Sequence, residues 1–185
     1  FDFEAKAITS VLLIGDSISR SCSYGGGAVS GSGWPETDGG SYSLGLTASL
    51  GEEYLVMNVG CSGSTSFQWQ PNWVPASFPF IPFPNYCNGV LVEDNLFNDH
   101  FGGQSIATVL LGANDVFWWE VTPADFDIYM NNIVNGLFNN GVDKVILMTT
   151  LPIPGQSQLK NVYIAAYRDK ILAICNNTPN TYCID

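Results

Sequence analysis

The chain has 185 residues, of which 46% are hydrophobic and 13% aromatic, enough for one domain with its own core and too apolar for a disordered segment. Its net charge is −11, with only six Lys and Arg, so its surface repels phosphate backbones and anionic lipid and speaks against nucleic-acid or membrane-surface binding. No apolar run approaches the roughly 20 residues that a membrane helix needs.

The opening residues "FDFEAKAITS" lack a basic segment followed by an apolar one, so a leader is expected to have been removed or never to have existed. The first apolar run, Val11 to Ile14, stops abruptly at Gly15, Asp16 and Ser17. A short helix is predicted from Ser41 to Leu50, before Gly51. The second run spans Tyr54 to Val59. The chain from Ser66 to about Asp99 then breaks the rhythm. Its stretch "FQWQPNWVPASFPFIPFPNYCNG" holds five prolines, two tryptophans and four phenylalanines, which forbids regular helix or central strand. It reads either as a self-packed loop or as an aromatic wall beside a cleft.

The third run is Ile106 to Leu111. A helix follows in "TPADFDIYMNNIVNGLFNNG", with Thr122 as cap, Pro123 in the first turn, Asp125 near the positive helix end and Gly141 as a left-handed stop. Its apolar stripe is Phe126, Tyr129, Ile133 and Leu137. Val145 to Met148 is the fourth run. A second long helix carries Leu159, Tyr163, Tyr167, Ile171 and Ile174 on one stripe, and Tyr182 to Ile184 is a weaker fifth strand. Short branched runs alternating with helices make an α/β domain with a parallel sheet and right-handed crossovers. No boundary divides residues 1–185, so one domain is expected.

The five cysteines, Cys22, Cys61, Cys87, Cys175 and Cys183, form no C-x-x-C pair, and the single histidine, His100, is distant from them in sequence. A metal site is therefore not expected, and disulfides in an oxidising, secreted or periplasmic setting are. Cys175 and Cys183 could close a short loop, and an odd count leaves one thiol without a partner in this chain. "NNT" at Asn176 is a glycosylation acceptor if the source is eukaryotic.

In open parallel sheets, ligands bind beyond the carboxyl ends of the strands. Three unusual stretches fall there: "GDS" (Gly15 to Ser17), "NVGCSGST" (Asn58 to Thr65) and "GAND" (Gly112 to Asp115). One GDS is three common residues and carries little alone. In this order and spacing, the three blocks resemble the SGNH, or GDSL-type, hydrolase family, over most of the chain from Val11 to about Asp185. No G-x-S-x-G elbow is present, so the α/β-hydrolase alternative lacks its nucleophile signature.

The resemblance implies a flavodoxin-like three-layer α/β/α fold with a five-stranded parallel sheet in the order 2-1-3-4-5. It makes Ser17 the nucleophile, and gives the oxyanion hole to the backbone N–H groups of Ser17 and Gly63 and the side-chain amide of Asn114. Fixed donors of this kind contribute roughly 3 kcal/mol each to an acyl-transfer barrier. Small residues at 15, 60, 63 and 112 are expected to let an acyl group approach the backbone. Asp16 and Asp115 are expected to accept loop hydrogen bonds rather than to react.

A serine hydroxyl needs a base. In the family this is a histidine in a D-x-x-H motif after the fifth strand, and the sequence stops at "NTYCID" without one. The final loop and closing helix are absent too, and Asp185 resembles the aspartate that often closes the strand. Three readings follow: a C-terminal piece lying outside this chain, a non-catalytic member, or His100 as base. His100 stands upstream of the third strand, toward its amino end, and reads as an exposed histidine.

The expected activity is that of a secreted carboxylic-ester hydrolase working through an acyl-enzyme and needing no cofactor. The aromatic residues Trp69, Trp73, Trp118 and Trp119 could stack on sugars in a polysaccharide deacetylase, or line an acyl pocket in a lipase or arylesterase. A glycan-binding member without catalysis is the remaining alternative.

Overall fold

The computed structural model describes residues 8–16, 19, 42–58, 60, 63–70, 102–117, 120–150 and 157–185. Each apolar run singled out above is a strand: β1 (Ile8–Gly15), β2 (Tyr54–Asn58), β3 (Gly102–Leu110), β4 (Lys144–Met148) and β5 (Thr181–Ile184). They form one sheet in the order β2-β1-β3-β4-β5, with every neighbouring pair parallel. This is the expected 2-1-3-4-5 order, and it reverses direction between β1 and β3.

Burial follows position in that order. In β1, Val11 pairs with Val56 on one side and Ile106 on the other. Covered on both faces, Val11, Leu12, Leu13 and Ile14 are all buried. β4 alternates, with Val145 and Leu147 turned inward. β5 is an edge strand and leaves Tyr182 and Ile184 exposed.

The helices are α1 (Tyr42–Leu50), α2 (Ala113–Phe117), α3 (Pro123–Asn139) and α4 (Gln158–Asn177), with a 3₁₀ turn at Ser66–Trp69. The start of α3 is built as its sequence indicates: the Thr122 hydroxyl accepts the Asp125 N–H at 3.2 Å, and Pro123 occupies the first turn. Phe126, Met130, Ile133, Val134 and Leu137 are its buried face, with Tyr129 half-buried. Gly141, at φ 86°, ends it.

In α4 the expected stripe is corrected at its start. Ile164, Tyr167, Ile171 and Ile174 face inward, whereas Leu159 is 64% exposed. Repeated steps of four residues advance about 40° each around a helix, so a stripe beginning at Leu159 drifts off the face that Ile171 and Ile174 occupy. Tyr167 stacks on Phe126 with ring centroids 3.8 Å apart, and its hydroxyl donates to the Val121 carbonyl at 2.5 Å. Cys175 and Cys183 are disulfide-bonded, tying α4 to β5 as their spacing suggested. Cys22, Cys61 and Cys87 lie outside the described residues.

Candidate active site

Parallel strands bring their carboxyl ends to one edge of the sheet. From β1 the chain passes into Asp16, and from β2 it reaches the turn at Gly63 (φ 79°). From β3 it passes through Leu111 and Gly112 into α2, which carries Asn114 and Asp115. Asn114 joins all three exits. Its amide nitrogen donates to Asp16 Oδ2 at 3.2 Å and to the Ser64 carbonyl at 3.0 Å. The Ser64 hydroxyl donates in turn to the Gly15 carbonyl at 3.3 Å and accepts the Trp69 indole N–H at 2.9 Å. Asp16, Ser64 and Asn114 are all buried.

Asp115 makes a second tie between the same two loops. It is wholly buried, and both carboxylate oxygens accept the Ser66 N–H, at 3.0 and 3.1 Å. The Ser66 hydroxyl also donates to Oδ1. Burial pushes this carboxyl up to about 6, against the opposing pull of the Ser66 hydrogen bonds. The backbone carbonyl of Asp115 receives the Val121 N–H at 3.1 Å, which fixes the exit of α2. Both aspartates thus accept hydrogen bonds from neighbouring loops.

The glycines at 15 and 112 need a different explanation from the one expected. The space beside them is filled by the protein itself. A Cβ on Gly15 would lie 2.8 Å from the Leu110 carbonyl oxygen and closer still to the Ser19 side chain. At Gly112, φ is +119° and a Cβ would stand 2.4 Å from the Thr150 hydroxyl, which donates to the Leu111 carbonyl at 2.7 Å. These residues are small so that β1, β3 and the chain after β4 can close on one another.

Trp69 also takes a place other than the cleft wall expected of it. It is 3% exposed, lies in the hydrophobic core and directs its N–H at Ser64. An indole with its ring buried and its one donor satisfied beneath the loop supports the site from below. Ser17, Trp73, Trp118, Trp119 and His100 lie outside the described residues. Sequence reasoning missed Ser64 and Ser66, the hydroxyls that link the second block to the first and third. The signal available for them was the run Ser62 to Ser66, four hydroxyl residues in five positions.

At the exits of β4 and β5 a separate cluster forms. Asp185 accepts from Thr149 Oγ1 at 3.0 Å and from Arg168 Nε at 2.7 Å, with a second contact to the other guanidinium nitrogen. Hydrogen bonding to Arg168 holds the Asp185 carboxyl below its usual range. Among the described residues no group of three or more His, Cys, Asp and Glu gathers as a metal-binding set, and no helix is long and apolar enough to cross a membrane.

No protein-family model matches the chain, and no curated protein matches it in sequence. Solved structures match it in fold. An aryl esterase from M. smegmatis superposes with a TM-score of 0.65 at 16% identity, over 95% of this chain and 83% of that one. A lipolytic protein of the G-D-S-L family from Veillonella parvula DSM 2008 gives 0.61 at 13% identity, over 96% and 77%. A carbohydrate acetylesterase from Sinorhizobium meliloti gives 0.60 at 17% identity, over 94% and 83%. At these identities the likeness is one of fold.

Proposed function

We propose, from a chain that has the fold of the GDSL-type esterases, that this protein is a serine hydrolase of carboxylic esters, with residues 1–185 as one hydrolase domain. A single observation carries the reading. The Asn114 amide bridges Asp16 and the Ser64 carbonyl, so the three motif-bearing strand exits meet at one buried side chain. Ser17 follows Asp16 directly in the chain, and Gly63 precedes Ser64.

In the proposed reaction the Ser17 hydroxyl attacks the ester carbonyl carbon while a base takes its proton. Negative charge develops on the former carbonyl oxygen, and the N–H groups of Ser17 and Gly63 and the Asn114 amide receive it. The Asn114 donors are engaged by Asp16 and Ser64, so donation to an oxyanion exchanges one of these for the charged oxygen. A bond from N–H to a charged acceptor is stronger than one to a neutral carbonyl, which favours the exchange as charge builds. Collapse expels the alcohol, protonated by the conjugate acid of the base. Water then attacks the acyl-serine by the same route in reverse.

The base we propose is a histidine of the D-x-x-H type that the family resemblance implies, a motif that residues 1–185 do not contain. His100 is the alternative within the chain. Secretion or export to a periplasm is supported by the Cys175–Cys183 disulfide and the acidic surface. Removal of acetyl groups from carbohydrate is the substrate class we favour, and the acetylesterase superposition supports it.

An organophosphonate probe tests the reading. The protein is expected to take up one equivalent at Ser17, located by peptide mass spectrometry, and Ser17→Ala to take up none. A protein inert to the probe, with a D-x-x-H-bearing segment present, overturns the proposal in favour of the glycan-binding alternative. Rates with acetyl and long-chain p-nitrophenyl esters then separate a deacetylase from a lipase.

A further inference from the structure

The contacts of Asp115 carry the inference furthest. This side chain touches none of the groups assigned to the reaction, yet it is wholly buried and both of its oxygens are directed at Ser66. Ser66 begins the 3₁₀ turn whose last residue, Trp69, supports the Ser64 hydroxyl. Ser64 in turn receives Asn114 and follows Gly63. The Gly63–Trp69 segment is therefore held at three points: by Asn114 at Ser64, by Asp115 at Ser66, and by the Trp69 indole from beneath. Two of the three holders are adjacent residues on α2.

We propose that Asp115 is the positioning residue of this site, its carboxylate clamping Ser66 so that the Gly63 N–H and the Asn114 amide are aimed at one point. This rests on the hydrolase reading for what is being aimed. The clamp needs an acceptor able to take the Ser66 N–H and hydroxyl together. An ionised carboxylate accepts at both oxygens, whereas a protonated one has lost part of that capacity, and its own O–H turns the Ser66 hydroxyl from donor into acceptor. Among the described residues the titratable groups near Asp115 are Tyr167 on α4 and Tyr129 on α3, both of which feel its charge, and Asp16 across the Asn114 amide. None of these supplies a cation to hold the carboxylate ionised, so Ser66 is its principal partner. Burial has already brought the carboxyl up to about 6, so the clamp loosens as pH falls through that value.

The test uses the full protein, labelled with nitrogen-15, and its Asp115→Asn and Ser66→Ala variants. Two readouts are followed from pH 5 to 8: the chemical shift and exchange protection of the Ser66 amide, and kcat and KM for p-nitrophenyl acetate. The wild-type Ser66 amide is expected to shift with a midpoint near 6, and that transition to vanish in Asp115→Asn. The Asn variant is expected to keep its fold and KM within about twofold while kcat falls tenfold or more, with Ser66→Ala in between. Two results overturn the clamp. One is a Ser66 amide that stays flat over this range; the other is a folded Asp115→Asn protein with wild-type kcat. A wild type that titrates at Ser66 yet neither turns over ester nor labels at Ser17 instead overturns the hydrolase reading, and the aiming role falls with it.

Discussion

Asp115 lies beyond the carboxyl end of β3 and Asp185 beyond that of β5, and their surroundings drive them in opposite directions. Asp115 is shut off from solvent, faces the donors of Ser66 and, among the described residues, no cation, and burial raises its affinity for a proton. Asp185 sits in the open against Arg168 and Thr149, and its affinity is lowered. The first is held by shape and uncharged hydrogen bonds, the second by charge. Desolvation dominates where water is excluded, and pairing dominates where it is not. The half of the sheet edge formed by β1, β2 and β3 is therefore a rigid, buried polar hub, and the half formed by β4 and β5 is an exposed tie.

The largest expected effect tests the rigidity of the hub. Gly112→Ala puts a methyl group against Thr150 Oγ1 at a backbone angle that suits only glycine. Strain and overpacking together cost roughly 4 kcal/mol, or about 10 °C in thermal midpoint for a chain of this size. Differential scanning fluorimetry at pH 7 measures this. A fall of under about 2 °C would mean that the β3 exit is as yielding as that of β5.

Next comes the pH dependence, where the two aspartates have opposite signs. The folded value for Asp115 lies above its unfolded value of 3.8, so the folded protein holds this proton more tightly. Stability from Asp115 is therefore greatest below about pH 4, declines as pH rises toward about 6, and is flat above that. The full difference is roughly 3 kcal/mol. Asp115→Asn removes this component, so wild type gains stability relative to the variant on going from pH 7 to pH 4. Urea titrations at the two values measure it. Asp185, with a lowered value, contributes stability at neutral pH that is lost on acidification, and Asp185→Asn shifts the gap the other way. Equal slopes for the two variants would break the contrast.

Much of the frame was legible in the sequence, and the reason is periodicity. Val11 to Ile14, Ile106 to Leu111 and Val145 to Met148 announce buried strands, and Thr122 and Pro123 announce the start of α3, because these signals are local. Local signals give less about direction: Leu159 has the right spacing to the next apolar residue and the wrong angle to the sheet. Pairings across the chain were beyond reach. Ser66 and Asp115 are 49 residues apart, and neither residue type names its partner. Trp69 was misread for a related reason. An aromatic residue in a proline-rich stretch looks like surface until Ser64 is seen to need a donor. The motif glycines were noticed, but their purpose depends on Thr150 and Leu110, residues outside every motif.

A smaller effect probes how β5 is fixed. The Cys175–Cys183 bond closes a short loop between α4 and the edge strand. Replacing both cysteines with serine is expected to cost roughly 2–3 kcal/mol, by restoring freedom to the unfolded chain. The loss should be local, with hydrogen exchange accelerating in β5 while Leu12, Ile14 and Val109 in the central strands keep their protection. A uniform loss across the sheet would show that the edge is as integral to the core as the hub is.

The smallest effect is expected at the Arg168–Asp185 pair itself. Both side chains are exposed, with side-chain accessibilities of 46% and 41%, so water and salt compete for each of their bonds. Solvent-exposed pairs of this kind contribute little to stability, because holding two long side chains in register offsets most of the attraction. Arg168→Gln is thus expected to leave the midpoint at 0.15 M salt within experimental scatter of wild type. The substitution should nonetheless change one thing. Without the guanidinium, the Asp185 carboxyl loses its main reason for a lowered value and titrates closer to an ordinary aspartate, which carbon-detected NMR of the side chain reads directly. A midpoint that falls as far as it does in Gly112→Ala would mean that the pair is shielded from solvent, and that the two edges are held by the same physics after all.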